Sequence, residues 1–172
     1  MIFNKTIDWG LFFLPMAAIT ITSNICKIGK DAGSNVKFRP PPATFGIVWF
    51  ILSLLIGLSW VVCVDYDRNS PSTSSAKLNG QTLVTYCIYT LLTLSLMMWI
   101  IFYGCGKDKL KALWTFIPTL MLCFMVQSIG NVVSKLLICP LIAWIIFALL
   151  LGTQDLQSAG LPARGVNTTA VS

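Results

Sequence analysis

The stretch RPPPATFGIVWFILSLLIGLSWVVCV, residues 39–64, decides the fold class of this chain. After Arg39 it contains no charged residue, and from Thr44 to Val64 it is almost entirely apolar. A helix needs about 20 apolar residues to cross the hydrocarbon core of a bilayer. The three prolines at its start interrupt regular structure and favour an extended entry into a helix. The stretch therefore predicts a membrane-spanning helix over residues 44–64.

Four further apolar segments lie on either side of this one, at residues 9–26, 82–103, 110–127 and 134–151. Together the five segments predict an all-α integral membrane protein, a five-transmembrane-helix bundle over residues 1–153. We expect the lipid bilayer to be its surroundings, a flexible loop over 65–81 and a polar, disordered tail over 154–172. Segment 9–26 has a second interpretation as a cleaved signal peptide, although no A-x-A-like site follows it.

The composition excludes several functions. Only 10% of the residues are charged, against about 25% in soluble domains. None of the five segments has Asp, Glu, Lys or Arg in its interior, which argues against ion-coupled pumps and voltage sensors. The chain has no histidine and no acid–base pair or metal motif, so we expect no required cofactor and no conventional catalysis. The net charge of +6 lies in short runs between apolar segments, which does not favour nucleic acid as a partner. The six cysteines show no metal spacing and are expected to be packing residues rather than disulfides.

The basic residues predict the orientation. Five spans place the first and third loops and the tail on one side of the membrane. That side carries eight basic residues and the other side four, namely Lys5, Arg68, Lys77 and Lys135. The positive-inside bias therefore predicts a cytosolic C-terminus. The mitochondrial outer membrane, another cellular membrane and a bacterial inner membrane all stay open as locations.

Tryptophans are the most informative residues within the spans. Trp49, Ser53, Ile56 and Trp60 share one face of the second helix, and Ser53 with Gly57 could let a neighbouring helix approach closely. On the fifth helix Pro140, Trp144, Ala148 and Leu151 share a face, with space beside the indole over Ala148. Such faces suit either ordinary helix packing or the wall of a pocket for a flat ligand. Trp9 and Trp60 lie near span ends, where tryptophans anchor helices at the membrane interface.

Residues 39–60 also resemble the hallmark of the TspO/MBR family, a Pro-Pro pair followed by F-G-x-V-W and a later glycine. Pro40, Pro41, Phe45, Gly46, Val48, Trp49 and Gly57 match it without a gap. The fifth segment is similar to the family pattern P-Y-x-x-W-x-x-F-A-x-x-L-N at Pro140, Trp144, Phe147, Ala148 and Leu151. Several family positions differ here, including Ala43 for tryptophan, Ile47 for proline and Leu141 for tyrosine. The cholesterol motif of animal members has no counterpart after the fifth helix.

The resemblance implies a membrane receptor or carrier that binds a porphyrin such as protoporphyrin IX, or another planar hydrophobic ligand. It also implies a homodimer and a pocket that opens toward the basic loops, where Lys37 and Arg39 could attract propionates. The ligand-binding residues that it implies are Phe45, Gly46, Trp49, Trp99, Trp114, Trp144, Ala148 and Leu151. Two alternatives stay open, namely light-dependent degradation of porphyrin and a membrane adaptor that has lost its ligand.

Overall fold

Five long helices make up the computed structural model, which describes residues 6–28, 40–69 and 75–160. The helices are α1 (Thr6–Ile25), α2 (Pro42–Asn69), α3 (Ser75–Ile100), α4 (Lys109–Ile129) and α5 (Val132–Gly160). Each is long and apolar enough to cross a membrane, and the described ranges contain no β-strand. The prediction of an all-α five-helix membrane bundle is confirmed.

Local signals explain where the helices begin and how α3 ends. Pro42 opens α2, where a missing N–H costs nothing. Asp108 caps α4 by accepting a hydrogen bond from the Lys111 backbone N–H, and the Asn131 side chain accepts one from Ser134 at the start of α5. At its far end α3 passes directly into a π-helical turn, Ile101–Cys105.

The core lies between α2 and its neighbours. Ser53, Ile56 and Trp60 of the predicted α2 face are all buried, so this face is confirmed as the packing face. Gly57 lies against α1, because a Cβ atom at this position would collide with the backbone carbonyl of Phe12. Glycine therefore allows α1 and α2 to approach closely. The interpretation of Trp60 as an interface anchor is wrong, since only 2% of this residue is exposed.

Two segments predicted to be irregular are helical. Helix α2 continues to Asn69 and α3 begins at Ser75, so most of the predicted loop 65–81 belongs to helices. The continuation of α2 is explained by Asp67, which accepts a hydrogen bond from Thr85 of α3, and by Arg68, which pairs with Asp8 of α1. Likewise α5 runs to Gly160, so disorder is the wrong prediction for residues 154–160. Asp155 is buried there and pairs with Lys109 of α4.

The prediction that all six cysteines are packing residues is wrong for two of them. Cys26 and Cys105 form a disulfide between the end of α1 and the π-helical turn. Both lie at helix ends, outside the apolar interior in which packing cysteines were expected. Cys63 and Cys123 are buried free thiols, in agreement with the packing interpretation, whereas Cys87 and Cys139 are exposed.

Candidate functional site

Seven aromatic side chains from α2, α3, α4, α5 and the π-helical turn form one contiguous set, which we call the ring cluster. At its centre Trp49 stacks on Trp99, with ring centroids 5.3 Å apart. Trp49 also meets Trp144 edge to face at 6.5 Å. Offset and edge-to-face contacts at these distances are the favourable geometries of aromatic pairs. The members of the ring cluster are Phe45, Trp49, Trp99, Tyr103, Phe116, Trp144 and Phe147.

The two ends of the ring cluster have different surroundings. At one end Trp99 stacks on both Tyr103 and Phe116, at 5.6 and 5.4 Å, so the rings are in mutual contact there. At the other end Trp144 touches Phe45 and Phe147 and borders an open groove between α2 and α5. A flat molecule can therefore approach the ring cluster from the Trp144 end without first separating the Trp99 stack.

The groove between α2 and α5 has a volume of about 460 Å³, within the range of about 300–1,000 Å³ that is usual for small-molecule sites. It is apolar throughout. Its only hydrogen-bonding side chain is Trp144, whose indole N–H is buried and has no acceptor among the described residues. An unsatisfied buried donor is uncommon, but the indole N–H of Trp60, away from the groove, is in the same state, so the donor of Trp144 is not by itself a sign of a ligand. The groove is lined by Val48, Ile51, Leu52, Leu55, Pro140, Ala143, Trp144 and Phe147.

The structure brings together half of the ligand-binding residues predicted from the sequence. Phe45, Trp49, Trp99 and Trp144 belong to the ring cluster. Ala148 packs against the core one turn beyond Trp144, and Leu151 is partly buried further along α5.

The two remaining predicted ligand-binding residues, Gly46 and Trp114, are exposed. Nothing lies within 4 Å of a Cβ atom built on Gly46, so this glycine is not needed for helix contact. Trp114 lies apart from the ring cluster with 63% of its surface exposed. Lys37 and Arg39 lie outside the described residues.

Sequence reasoning missed three members of the ring cluster, namely Tyr103, Phe116 and Phe147, as candidate ligand residues. Phe116 is buried on α4, which carries no family motif, so only the fold reveals its contact with Trp99. Phe147 and Tyr103 stand three and four residues after a predicted tryptophan. That helical spacing could have indicated both of them.

A second set of contacts, which we call the polar end, occupies the opposite end of the bundle. Arg68 donates a hydrogen bond to the buried carboxylate of Asp8 at 2.8 Å and another to the Tyr86 hydroxyl at 3.3 Å. Thr85 donates to the buried Asp67 carboxylate at 2.9 Å. Within the described ranges no group of three His, Cys, Asp or Glu residues could hold a metal ion.

Ser59 extends the polar end toward the middle of the bundle. Its hydroxyl donates to the Ser134 carbonyl at 2.9 Å and lies 2.6 Å from the Tyr89 hydroxyl. Because a serine has only one hydroxyl proton, Tyr89 is the donor in the second bond. This pair joins α2, α3 and α5 through buried groups that are all satisfied.

Five membrane-spanning helices with an aromatic set between them define a polytopic α-helical membrane protein. The TspO/MBR family model matches residues 10–154, and the chain belongs to the TspO/MBR family. No individual curated protein gives a significant match. Membership supports a role of the kind filled by membrane receptors for sterols or tetrapyrroles.

Proposed function

We propose that this protein is a membrane receptor or carrier that binds a tetrapyrrole such as protoporphyrin IX, or a similar planar apolar molecule. The ligand lies in the groove between α2 and α5 and stacks against the ring cluster. The observation that carries this proposal is the position of Trp144, which borders the groove and also contacts Trp49 and Phe45. Family membership supports the ligand class.

The physical basis of binding is the burial of apolar area plus ring stacking. A flat ligand in the groove covers the apolar side chains of α2 and α5 and meets the faces or edges of Trp144 and Phe147. The indole N–H of Trp144 is buried beside the groove without an acceptor among the described residues, so it donates to an acceptor atom of the ligand once the ring tilts toward the groove. Specificity then comes from the shape of the groove and from this single donor, since the other lining side chains are apolar.

We further propose that the ring cluster lies toward the cytosolic side. Lys27, Lys107 and Lys109 stand at the same ends of α1, α3 and α4 as the ring cluster, and they belong to the larger of the two basic sets. The positive-inside bias then places this end and the C-terminus in the cytosol. Of these, Lys27 and Lys107 attract the carboxylates of a tetrapyrrole toward the helix ends, since Lys109 is paired with Asp155. The homodimer implied by the family remains a prediction.

Absorbance titration of protoporphyrin IX into the detergent-solubilised protein tests the proposed function. Porphyrin absorbance is the readout because it does not depend on the number of tryptophans. We expect Trp144→Ala to weaken binding about tenfold, since the loss of a stacking partner costs roughly 1.4 kcal/mol. Trp9→Ala is the matched control, because Trp9 is exposed on α1 outside the ring cluster.

The outcomes separate the explanations. Loss of affinity in Trp144→Ala with unchanged affinity in Trp9→Ala supports the site. Equal affinity in all three proteins would remove Trp144 and the groove from the proposal. Saturable binding that is absent even in the parent protein would overturn the ligand class itself.

A further inference from the structure

The disulfide between Cys26 and Cys105 lies beside the Trp99 end of the ring cluster. Tyr103, which stacks on Trp99, stands two residues before Cys105 in the same π-helical turn. Between them Gly104 is in such close contact with α1 that a Cβ atom there would collide with the Cys26 carbonyl. The disulfide and this contact together fix the π-helical turn to the end of α1. Single π-helical turns of this kind are frequent at functional sites.

The disulfide restrains the backbone of the turn that carries Tyr103. Trp49, Trp99, Tyr103 and Phe116 are already in ring-to-ring contact, so a flat ligand can enter this part of the ring cluster only if a ring moves aside. The Tyr103 ring is the member that is attached to the π-helical turn. As long as the turn is fixed to α1, movement of Tyr103 away from Trp99 is opposed by a covalent bond in addition to packing.

The exposure of Cys105 leaves this bond open to reduction. Cys26 is buried, whereas Cys105 is exposed, so of the two cysteines Cys105 is the one that an incoming thiolate can approach. Lys27 and Lys107 stand next to the two cysteines in sequence or close to them, and cationic neighbours stabilise thiolates. The bond also lies at the end of the bundle that carries the larger basic set. If that end faces the cytosol, its surroundings keep most thiols reduced, and disulfides there are usually redox-sensing or catalytic.

We propose that the Cys26–Cys105 bond is a redox switch of the ring cluster, which we call the latch. The oxidised bond holds the π-helical turn against α1, and reduction frees the turn and so raises ligand affinity. This regulation rests on the proposed function of the ring cluster as a ligand site. A ligand that binds in the groove at Trp144 can extend past Trp49 to the Trp99 stack only if a ring there moves aside. The affinity gain arises because, in the reduced protein, no covalent tether on the turn opposes that movement of Tyr103.

The redox step is an ordinary exchange with a dithiol reductant. One reductant thiolate attacks the Cys105 sulfur, the bond to Cys26 breaks, and Cys26 leaves as a thiolate that takes up a proton. The second reductant thiolate then attacks the reductant's own sulfur in the mixed disulfide and releases Cys105. The dithiol is oxidised to a cyclic disulfide by two electrons, and the protein gains two thiols. Oxidation of the pair reverses these steps with a disulfide oxidant.

The first experiment compares protoporphyrin IX titrations of the oxidised protein and of protein reduced with dithiothreitol, with reductant removed beforehand and free thiols counted by maleimide labelling. We expect the reduced protein to bind about fivefold more tightly, the lower end of typical coupling between sites. Cys105→Ser should bind as tightly as the reduced protein and show no response to reductant. Cys87→Ser is the matched control, since Cys87 is an exposed free thiol, and it should respond as the parent does.

Three results would overturn the latch. The first is equal or weaker binding after reduction, which leaves the proposed function standing. The second is a response to reductant that persists in Cys105→Ser. The third is labelling that finds Cys26 and Cys105 as free thiols after treatment with a disulfide oxidant.

A second measurement needs no ligand and therefore separates failure of the latch from failure of the proposed function. If no form binds protoporphyrin IX, the proposed function fails, and intrinsic tryptophan emission then decides the structural part of the latch. We expect reduction to change the emission of the parent protein and to leave Trp99→Phe unchanged, because Tyr103 stacks on Trp99. An emission spectrum that reduction leaves unaltered in the parent would overturn the latch.

Discussion

The ring cluster joins α2, α3, α4 and α5, whereas the polar end joins α1, α2, α3 and α5, and the two regions do so by different means. In the ring cluster the contacts are aromatic, between centroids 5.3 to 6.5 Å apart. At the polar end the contacts are mainly buried or partly buried hydrogen bonds and an ion pair with lengths of 2.6 to 3.3 Å, beside one aromatic stack of Trp60 on Tyr89.

The two regions differ in how much free energy it costs to move their side chains apart. Stacked rings can slide or tilt at modest cost, because aromatic pairs contribute only about 0.5–1.5 kcal/mol beyond their buried area. Separating a buried carboxylate from its partner costs several kcal/mol. We therefore interpret the polar end as the fixed base of the bundle and the ring cluster as the adaptable region. The disulfide adds to the ring cluster a constraint that chemistry can remove, which the described part of the polar end does not have.

The largest expected effect is the loss of stability when the ion pair of the polar end is broken. Arg68→Ala leaves the Asp8 carboxylate, whose side chain is 3% exposed, without its guanidinium. We expect a loss of about 3 kcal/mol in the free energy of unfolding, because a buried carboxylate loses the guanidinium that pairs with it. Lys111→Ala is the matched control, since Lys111 pairs with Asp108 at the protein surface, where ion pairs contribute little.

Thermal unfolding of the two variants in the same detergent decides this comparison. A large decrease in the unfolding midpoint for Arg68→Ala with little change for Lys111→Ala supports the fixed base. Similar small shifts in both variants would mean that the polar end is no more rigid than the protein surface.

A smaller effect on stability is expected when two glycines of α2, Gly57 and Gly46, are each replaced by alanine. Gly57→Ala places a Cβ atom against the Phe12 backbone, which cannot yield as a flexible side chain can. Gly46→Ala meets open space, near the ring cluster residues Phe45 and Trp49. Both variants gain the same helix propensity, so the difference between them isolates the collision. We expect Gly57→Ala to be less stable than Gly46→Ala by about 2 kcal/mol in unfolding experiments. Equal stabilities would show that α1 can move away from α2 without cost.

The membrane-spanning helices and the packing face of α2 were predicted well from the sequence, since the length of an apolar segment and helical periodicity are local properties. The α2 face through Ser53, Ile56 and Trp60 and the close approach at Gly57 both follow from spacing along one helix. The clustering of Phe45, Trp49, Trp99 and Trp144 was implied only by resemblance to a family, because these residues come from three different helices.

The polar end and the disulfide were missed for a related reason. Asp67 and Arg68 stand in a run of polar residues that favours a solvated loop, and only their partners Thr85 and Asp8 explain why the helix continues through them. Cys26 and Cys105 are 79 residues apart without a recognisable motif. Pairings between distant residues are properties of the fold and cannot be read from local spacing.

The smallest expected effect is electrostatic and lies outside the spans, at the cap of α4. Hydrogen bonds from the backbone and side chain of Lys111 lower the pKa of the Asp108 carboxyl below its ordinary value of 3.8. A carboxyl with a lowered pKa in the folded state stabilises the protein fully above its unfolded pKa. This stabilisation is lost as the pH falls below 3.8 toward the folded pKa. Asp108→Asn keeps a capping oxygen but does not titrate.

Unfolding midpoints measured between pH 6 and pH 3 test this cap. We expect the parent to be slightly more stable than Asp108→Asn at pH 6, and the gap to narrow as the carboxylate becomes protonated. Lys111→Ala removes the side-chain partner and leaves the backbone bond, so it should retain part of the pH dependence. A gap that stays constant over this range would assign the contribution of Asp108 to its shape and hydrogen bonding. The charge at this end of the bundle would then have no measurable part in holding α4 in place.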